Sequence, residues 1–473
     1  MLPIFFVVHG CLENYGFVPA KDALLLTVIY TAASVIFLLL AWLVFRDWIK
    51  AGLTSFVLMG FHFFFGSIQD SLRNIFPGSV LSKYTFLVPA ALCLLVALLI
   101  FLKKRKKPLA KLALYLNCLL FILISIDFVL FATRFFTGRK TAELPKEFAA
   151  CDSCGKPDVY VIIADEYAGY QELKDIFHFD DSTFLQQLGT RGFHIVPQSS
   201  SNYNYTPYSI ASILDMDYPD FSDRGSRLAK AYQTINDNRF LKFLQFHHYR
   251  FYNYSDFEFK GHPTYTKETF LPVRTRLITS QTFLSRLEKE LRFHLIKDFN
   301  SKSEIRKTVY DNRDNNEKLM ALLIETARQR SSEPRFVLTH LMMPHYPYYY
   351  DRNGNALPFD SLLEGNQVNQ HNYIEYLQYC NKRLIGLVDE ILQNAARPPI
   401  IVLLGDHGFR HFTTTVDQKY YFNNLVSVHL PGNNYVAFDD SLTNVNLLRT
   451  VLNQSFGQRL PMLKDTAIII DNP

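Results

Sequence analysis

The chain has 473 residues, too many for one average domain, and 48% hydrophobic with 15% aromatic residues against 20% charged excludes a disordered or collagen-like polymer. The net charge of +5 is local: Lys103, Lys104, Arg105, Lys106, Lys107 and Lys111 are six of the 49 positive residues, and without them 43 face 44 acids. This pattern gives no support to a nucleic-acid partner, which calls for a basic folded face, and six cysteines in this length exclude a disulfide scaffold.

Residues 2–9 (LPIFFVVH) are apolar but too short to span a bilayer alone, and read as an interfacial segment or, through Val18, a broken first crossing. Apolar runs at 23–45, 52–67, 84–102 and 111–133 are long enough to cross the ~30 Å hydrocarbon core, the second being interrupted by Gly60 and His62. No basic n-region with a short apolar core marks a cleaved signal peptide. Residues 1–135 are therefore expected to be a bundle of four to five transmembrane helices in the lipid bilayer. Arg46 and Lys50 follow the first long run, and KKRKKPLAK separates the third from the fourth. The positive-inside rule makes both loops cytoplasmic and puts everything after about residue 135 outside, in the periplasm or at the cell surface of a bacterium. Residues 136–156 read as a linker, in which Cys151 and Cys154 have a local disulfide as one option.

From residue 157 to 473 the pattern changes to strands alternating with helices, which predicts an α/β fold with a largely parallel sheet. Buried-strand runs lie at 158–165 (DVYVIIAD), 335–342 (RFVLTHLM) and 399–408 (PIIVLLGDHG), with helices expected over 234–247, 279–297, 314–329 and 371–394. In such a sheet ligands bind beyond the carboxyl ends of the strands. Three strand ends deliver Asp165 and Glu166, His340 and His345, and Asp406 and His407 to that edge. Taken singly, acids there cap helices and histidines are ordinary surface groups. The coincidence of three such ends favours a metal site instead.

A fourth element, SNYNYTPYSIASIL, leads into a helix near Thr206. Thr206 before Pro207 suits a helix N-cap, and it equally suits a nucleophile whose hydroxyl is deprotonated by a metal at a helix N-terminus. Seven tyrosines (203, 205, 208, 346, 348, 349 and 350) either line an amphipathic pocket or simply pack.

The motifs VIIADEY, YTPYSIAS, HLMMPHYPYYYDRNG and LLGDHGFRH, in this order, resemble the alkaline phosphatase superfamily, in its branch of membrane-anchored sulfatase-like phosphotransferases, which includes lipoteichoic acid synthase and the lipid A phosphoethanolamine transferases. The resemblance covers the architecture and roughly residues 157–432. It implies Thr206 as the nucleophile and a metal ligand, with Asp165 or the adjacent Glu166, Asp406 and His407 completing the metal site. Ser209 and Ser212 follow at the family's usual spacing. His340, His345, Arg410 and His411 are implied as substrate-binding residues, His345 on substrate phosphate or a further metal. Carboxylate, imidazole and hydroxyl ligands suit Zn²⁺ or Mn²⁺, with Mg²⁺ or Ca²⁺ as alternatives. Formylglycine sulfatases need a Cys/Ser-x-Pro-x-Arg motif, which this chain lacks at 206.

The resemblance thus implies transfer of a phosphoethanolamine- or phosphoglycerol-type head group from a membrane phospholipid donor to an envelope glycan or glycolipid acceptor, through a phospho-threonine. The alternatives are a phosphodiesterase or phosphatase using water, a sulfatase-like hydrolase, and an inactive envelope scaffold.

Overall fold

The computed structural model describes residues 1–15, 18–76, 79–107, 109–137, 144–151, 154–223, 227–264, 275–287, 302–363 and 365–471. The chain divides into two units, one of Met1–Lys140 with Glu268–Asn300 and one of Thr141–Lys267 with Ser301–Pro473.

In the first unit α1 (Leu2–Glu13) precedes four helices long and apolar enough to cross a membrane: α2 (Ala20–Phe45), α3 (Trp48–Ile75), α4 (Tyr84–Lys104) and α5 (Ala110–Thr137). Leu2–Glu13 forms a short helix, as an apolar segment of that length permits. The run interrupted by Gly60 and His62 is one continuous helix from Trp48 to Ile75, started by Asp47, whose carboxylate accepts from the Ile49 and Lys50 amides. An N-cap carboxylate satisfies amides that have no partner within the helix.

Glu268–Asn300, which sequence places inside residues 157–473, groups with these helices. Of it, residues 275–287 are described, with one helical turn at Arg276–Thr279. The Gly66 amide donates to the Gln281 carbonyl at 2.8 Å, and a Cβ at Gly66 would lie 2.7 Å from that oxygen, so glycine permits the approach. Arg286 adds an ion pair to Asp70 at 2.6 Å. The helix expected over 279–297 is interrupted at 280–282 and resumes at 283–287, and its remainder from 288 lies outside the described residues.

The second unit is built on a six-stranded sheet. Its strands are β1 (Val159–Ala164), β2 (Phe193–Ile195), β3 (Arg250–Tyr254), β4 (Arg335–Leu341), β5 (Ile400–Gly405) and β6 (Val426–His429), in the order β2-β6-β5-β1-β4-β3. β3, β4, β1 and β5 run parallel, and β6 and β2 close one edge antiparallel. The largely parallel sheet expected from the apolar runs is thus present, with an antiparallel edge the periodicity did not announce.

Helices cover both faces: α6 (Tyr170–Asp175), α7 (Ser182–Gly189), α8 (Thr206–Asp215), α9 (Arg227–Asn236), α10 (Arg239–Phe246), α11 (Lys302–Arg328), α12 (Gln370–Asn394) and α13 (Asn444–Phe456). Side chains alternate across a strand, so Val159, Val161 and Ile163 pack with residues of α8, α10 and α13, and Tyr160, Ile162 and Ala164 pack with those of α7, α11 and α12. The helix expected over 234–247 is two, because Asn238 caps α10 by accepting from the Leu241 amide. Cys151 and Cys154 are disulfide-bonded.

Leu403 in β5 is fully buried. Leu403→Ala is expected to cost about 3 kcal/mol of stability, read as a lower denaturant midpoint of the purified protein.

Candidate active site

β1 and β5 are neighbours in register, Ala164 opposite Gly405, so Asp165 and Asp406 leave the sheet side by side at its carboxyl edge. β4 flanks β1 on the other side, with His340 opposite Ile163. The chain then turns sharply: Glu166 has φ +60°, a left-handed conformation costly for a residue with a side chain. Three contacts hold it there. Its amide donates to Asp406 Oδ1 at 3.0 Å, its carbonyl accepts from Tyr373 Oη at 2.8 Å, and its Oε1 accepts from the Arg410 amide at 3.2 Å.

Because of that turn, Asp165 and Glu166 serve two different clusters. Asp165, Asp406 and His407 form one and Glu166, His345 and His411 the other, each with ligand-type atoms within 4.8 Å of one another. Asp165 and Glu166, which sequence left as alternatives, thus stand in separate clusters, one carboxylate in each.

Thr206 is the first residue of α8, after Tyr205 as N-cap, and no side chain caps this helix. The capping role open to Thr206 from sequence is therefore not the one it plays. Its Oγ1 lies 3.4 Å from Asp165 Oδ2 and 3.2 Å from His407 Nε2, against the first cluster. Ser209, one turn on, donates to the Asp406 carbonyl at 2.6 Å and so ties α8 to the end of β5. Ser212 donates to the Asp217 carbonyl and takes no part in the cluster.

Electrostatics favour a cation here. Asp165 Oδ1, Glu166 Oε2 and Asp406 Oδ2 are buried carboxylate oxygens with no hydrogen-bond partner among the described residues. Such atoms are costly unless an ion or proton meets them. Burial lowers His407 to about 3, so the ring is neutral. Its Nδ1 faces the Gly408 carbonyl at 2.8 Å and must carry the proton, leaving the Nε2 lone pair toward Asp406 Oδ2 at 3.3 Å. A lone pair facing a carboxylate repels it unless a cation lies between them, so the residues fit a divalent metal.

Burial and the neighbouring Asp165 charge push Asp406 up to about 6. Burial would raise Asp165 as well, but the charges of His345 and His340 hold it below the usual carboxylate range. Two carboxylates sharing a site separate in this way. His345 is raised: burial opposes protonation, and the Asp165 and Glu166 charges outweigh it.

His340 is a buried neighbour of the first cluster. It is 2% exposed and its Nε2 lies 3.0 Å from Asp165 Oδ2, so it meets that carboxylate from the buried side. His345 Nε2, His411 Nε2 and Arg410 Nε lie 3.9, 3.3 and 3.8 Å from Glu166 oxygens, on partly exposed side chains. The Arg410 guanidinium stacks 4.1 Å over the Tyr205 ring. Tyr203, Tyr208, Tyr348 and Tyr349 are core side chains, at most 1% exposed, so most of the tyrosine cluster packs and does not line a pocket.

Residues that sequence did not single out complete the setting. Tyr373 from α12 holds the Glu166 carbonyl, and Asn424 and Asn444 donate to the Gly405 carbonyl. The buried Glu172 accepts from the Phe409 amide at 3.3 Å, and burial pushes its carboxyl well up. Each is a lone polar residue on a distant element, with no motif to mark it.

No protein-family profile and no curated protein matches the chain. Among solved structures it is similar to the zinc complex of the C-terminal periplasmic domain of EcEptC from Escherichia coli, at 12% identity over 68% of this chain and 92% of that one, TM-score 0.43. It is also similar to the lipooligosaccharide phosphoethanolamine transferase A (EptA) of Neisseria meningitidis, at 12% identity over 96% of this chain and 92% of that one, TM-score 0.41. A putative sulfatase from Bacteroides thetaiotaomicron matches at 13% identity over 67% and 74% of the two chains, TM-score 0.39. At these levels the reading of the site rests on its own geometry.

Two outcomes are expected. A Cβ at Gly408 would lie 2.2 Å from the Tyr420 carbonyl and 2.6 Å from that of Asn423, so Gly408→Ala should cost about 2 kcal/mol and weaken metal retention, measured by metal analysis of the purified variant. Because Asp406 must lose its proton to bind a cation, metal affinity should fall about tenfold per pH unit as pH drops through about 6. Titration calorimetry at pH 5 and 7.5 checks this, with proton release on binding at the lower pH.

Proposed function

We propose that the protein is a metal-dependent phosphotransferase. In this reading it moves a phosphoryl-linked head group, of phosphoethanolamine or phosphoglycerol type, from a membrane phospholipid to a hydroxyl of an envelope glycan or glycolipid. The observation that carries the reading is Thr206 Oγ1, released from capping and placed against both Asp165 and His407. A hydroxyl held at a buried ligand cluster, at the start of a helix, suits attack on a phosphate.

Thr206 attacks phosphorus, the P–O bond to the glyceride breaks, and diacylglycerol leaves with a proton. An acceptor hydroxyl then attacks the same phosphorus, the Thr206–phosphate bond breaks, and the acceptor's proton returns to Thr206. Asp165, Asp406 and His407 would hold the metal, which when bound lowers the proton affinity of the Thr206 hydroxyl and offsets charge on the phosphate oxygens; Zn²⁺ or Mn²⁺ suits these donors. His345, His411 and Arg410, partly exposed beside Glu166, would hold the remaining phosphate oxygens or protonate the leaving group.

Four membrane-length helices hold an enzyme of this kind at a lipid donor, which raises effective concentration. The cytoplasmic orientation of residues 46–50 and 103–111 puts residues 141–267 and 301–473 outside a bacterial inner membrane.

Intact-mass spectrometry of the full-length protein, incubated with phospholipids and Zn²⁺ or Mn²⁺, should show an adduct of head-group mass that Thr206→Ala lacks. Turnover in that variant should fall by about a thousandfold or more. An adduct that persists in Thr206→Ala would sink the nucleophile assignment, and release of free head group without any modified acceptor would make the enzyme a hydrolase.

A further inference from the structure

Within the first unit, a cavity of about 490 Å³ opens among α1, α2, α3 and α5. Its walls are mostly apolar, from Leu2, Leu38, Leu53, Phe56, Met59 and Leu120, with Thr31, Ser34, Ser55 and Asn117 as polar groups among them. On α3 the lining runs from Trp48 to Met59, on α2 from Thr31 to Leu38, and on α5 from Ala113 to Leu120. From Trp48 to Met59 the rise along α3, at 1.5 Å per residue, is about 16 Å, or half of a ~30 Å hydrocarbon core, which is the depth of one leaflet.

The end of the cavity at Trp48 and Ile49 is the basic end. Lys50 follows Ile49 and donates to the Arg105 carbonyl at 2.9 Å, which brings the run at 103–107 beside the start of α3. Lys103, Lys104, Lys106 and Lys107 are exposed, and so is Arg46. Asp47 is the acid at this rim, and it is engaged with the Ile49 and Lys50 amides.

We infer that this cavity holds one acyl chain of an anionic phospholipid of the cytoplasmic leaflet, whose head group is met by Arg46, Lys50 and the basic run at 103–107. A mostly apolar lining that extends along α3 to about the depth of one leaflet favours a chain over a water-soluble ligand, and the charge at the rim favours an anionic head group over a zwitterionic one. The inference rests on the membrane-spanning and orientation reading above and not on the chemistry of Thr206. The bound lipid is on the opposite side of the bilayer from the proposed donor, so it is a resident lipid of the helical unit and not a substrate.

Gly52 lines the cavity, and no atom lies within 4 Å of where its Cβ would be. Gly52→Phe therefore fills the space without meeting the backbone. The experiment uses full-length protein in phosphatidylcholine nanodiscs carrying a minor fraction of phosphatidylglycerol with a diazirine in its acyl chain, and compares it with a phosphatidylcholine probe of the same design. After irradiation, cross-links are mapped to peptides.

The phosphatidylglycerol probe should label α2 and α3 cavity residues about fivefold more than the phosphatidylcholine probe. Gly52→Phe should abolish that excess, and Lys50→Gln with Lys106→Gln should lower it while leaving the phosphatidylcholine signal unchanged. Equal labelling by both probes, or an excess that survives Gly52→Phe, overturns the site. Reaction of Lys106→Cys with an impermeant maleimide from outside intact cells overturns the leaflet assignment. None of these readouts depends on turnover, so an inactive Thr206→Ala protein should label like wild type.

Discussion

The hydrogen bond from the Glu166 amide to Asp406 Oδ1 ties the end of β1 to the end of β5, and the candidate site is arranged around it. It holds a left-handed residue immediately after a parallel strand, and that one reversal sends adjacent carboxylates into separate clusters. An extended continuation would have pointed Asp165 and Glu166 to opposite faces of the sheet. Tyr373, on the far helix layer, and the Arg410 amide hold the same residue from two further directions, which is how a backbone conformation of this cost persists.

The buried acids of this edge are only partly compensated by protein groups. His340 behind Asp165 offsets one charge, while Asp406 meets a negative neighbour and is pushed toward protonation. A protein that spends so much buried carboxylate without matching donors is built for a cation. Thr206 belongs to this arrangement because α8 is anchored at Ser209 to the Asp406 carbonyl, so the helix that carries the hydroxyl is fixed to the strand end that carries Asp406.

The helical unit answers to a different solvent. Its exposed leucines, isoleucines and phenylalanines on α2, α4 and α5 are expensive in water and ordinary in lipid. Glycine has two opposite uses in it. At Gly66 the absence of a side chain admits the Gln281 backbone, and at Gly52 it leaves space facing the cavity.

Apolar run length and loop charge were enough to recognise the helical unit, because hydrocarbon thickness acts on contiguous sequence. The strand ends bearing Asp165, His340 and Asp406 were likewise legible, since a parallel sheet gathers its carboxyl edges into one place whatever the loops do. Order within that edge was not. His340 lies buried against Asp165, and Thr206 suited a cap and caps nothing, because both placements depend on which atom of a distant residue comes within about 3 Å. The contacts of residues 275–287 with the apolar helices, and the supporting Tyr373, Asn424 and Glu172, were decided by tertiary contact alone. A lone polar side chain has no periodicity, and its partner is set by packing between elements far apart in the chain.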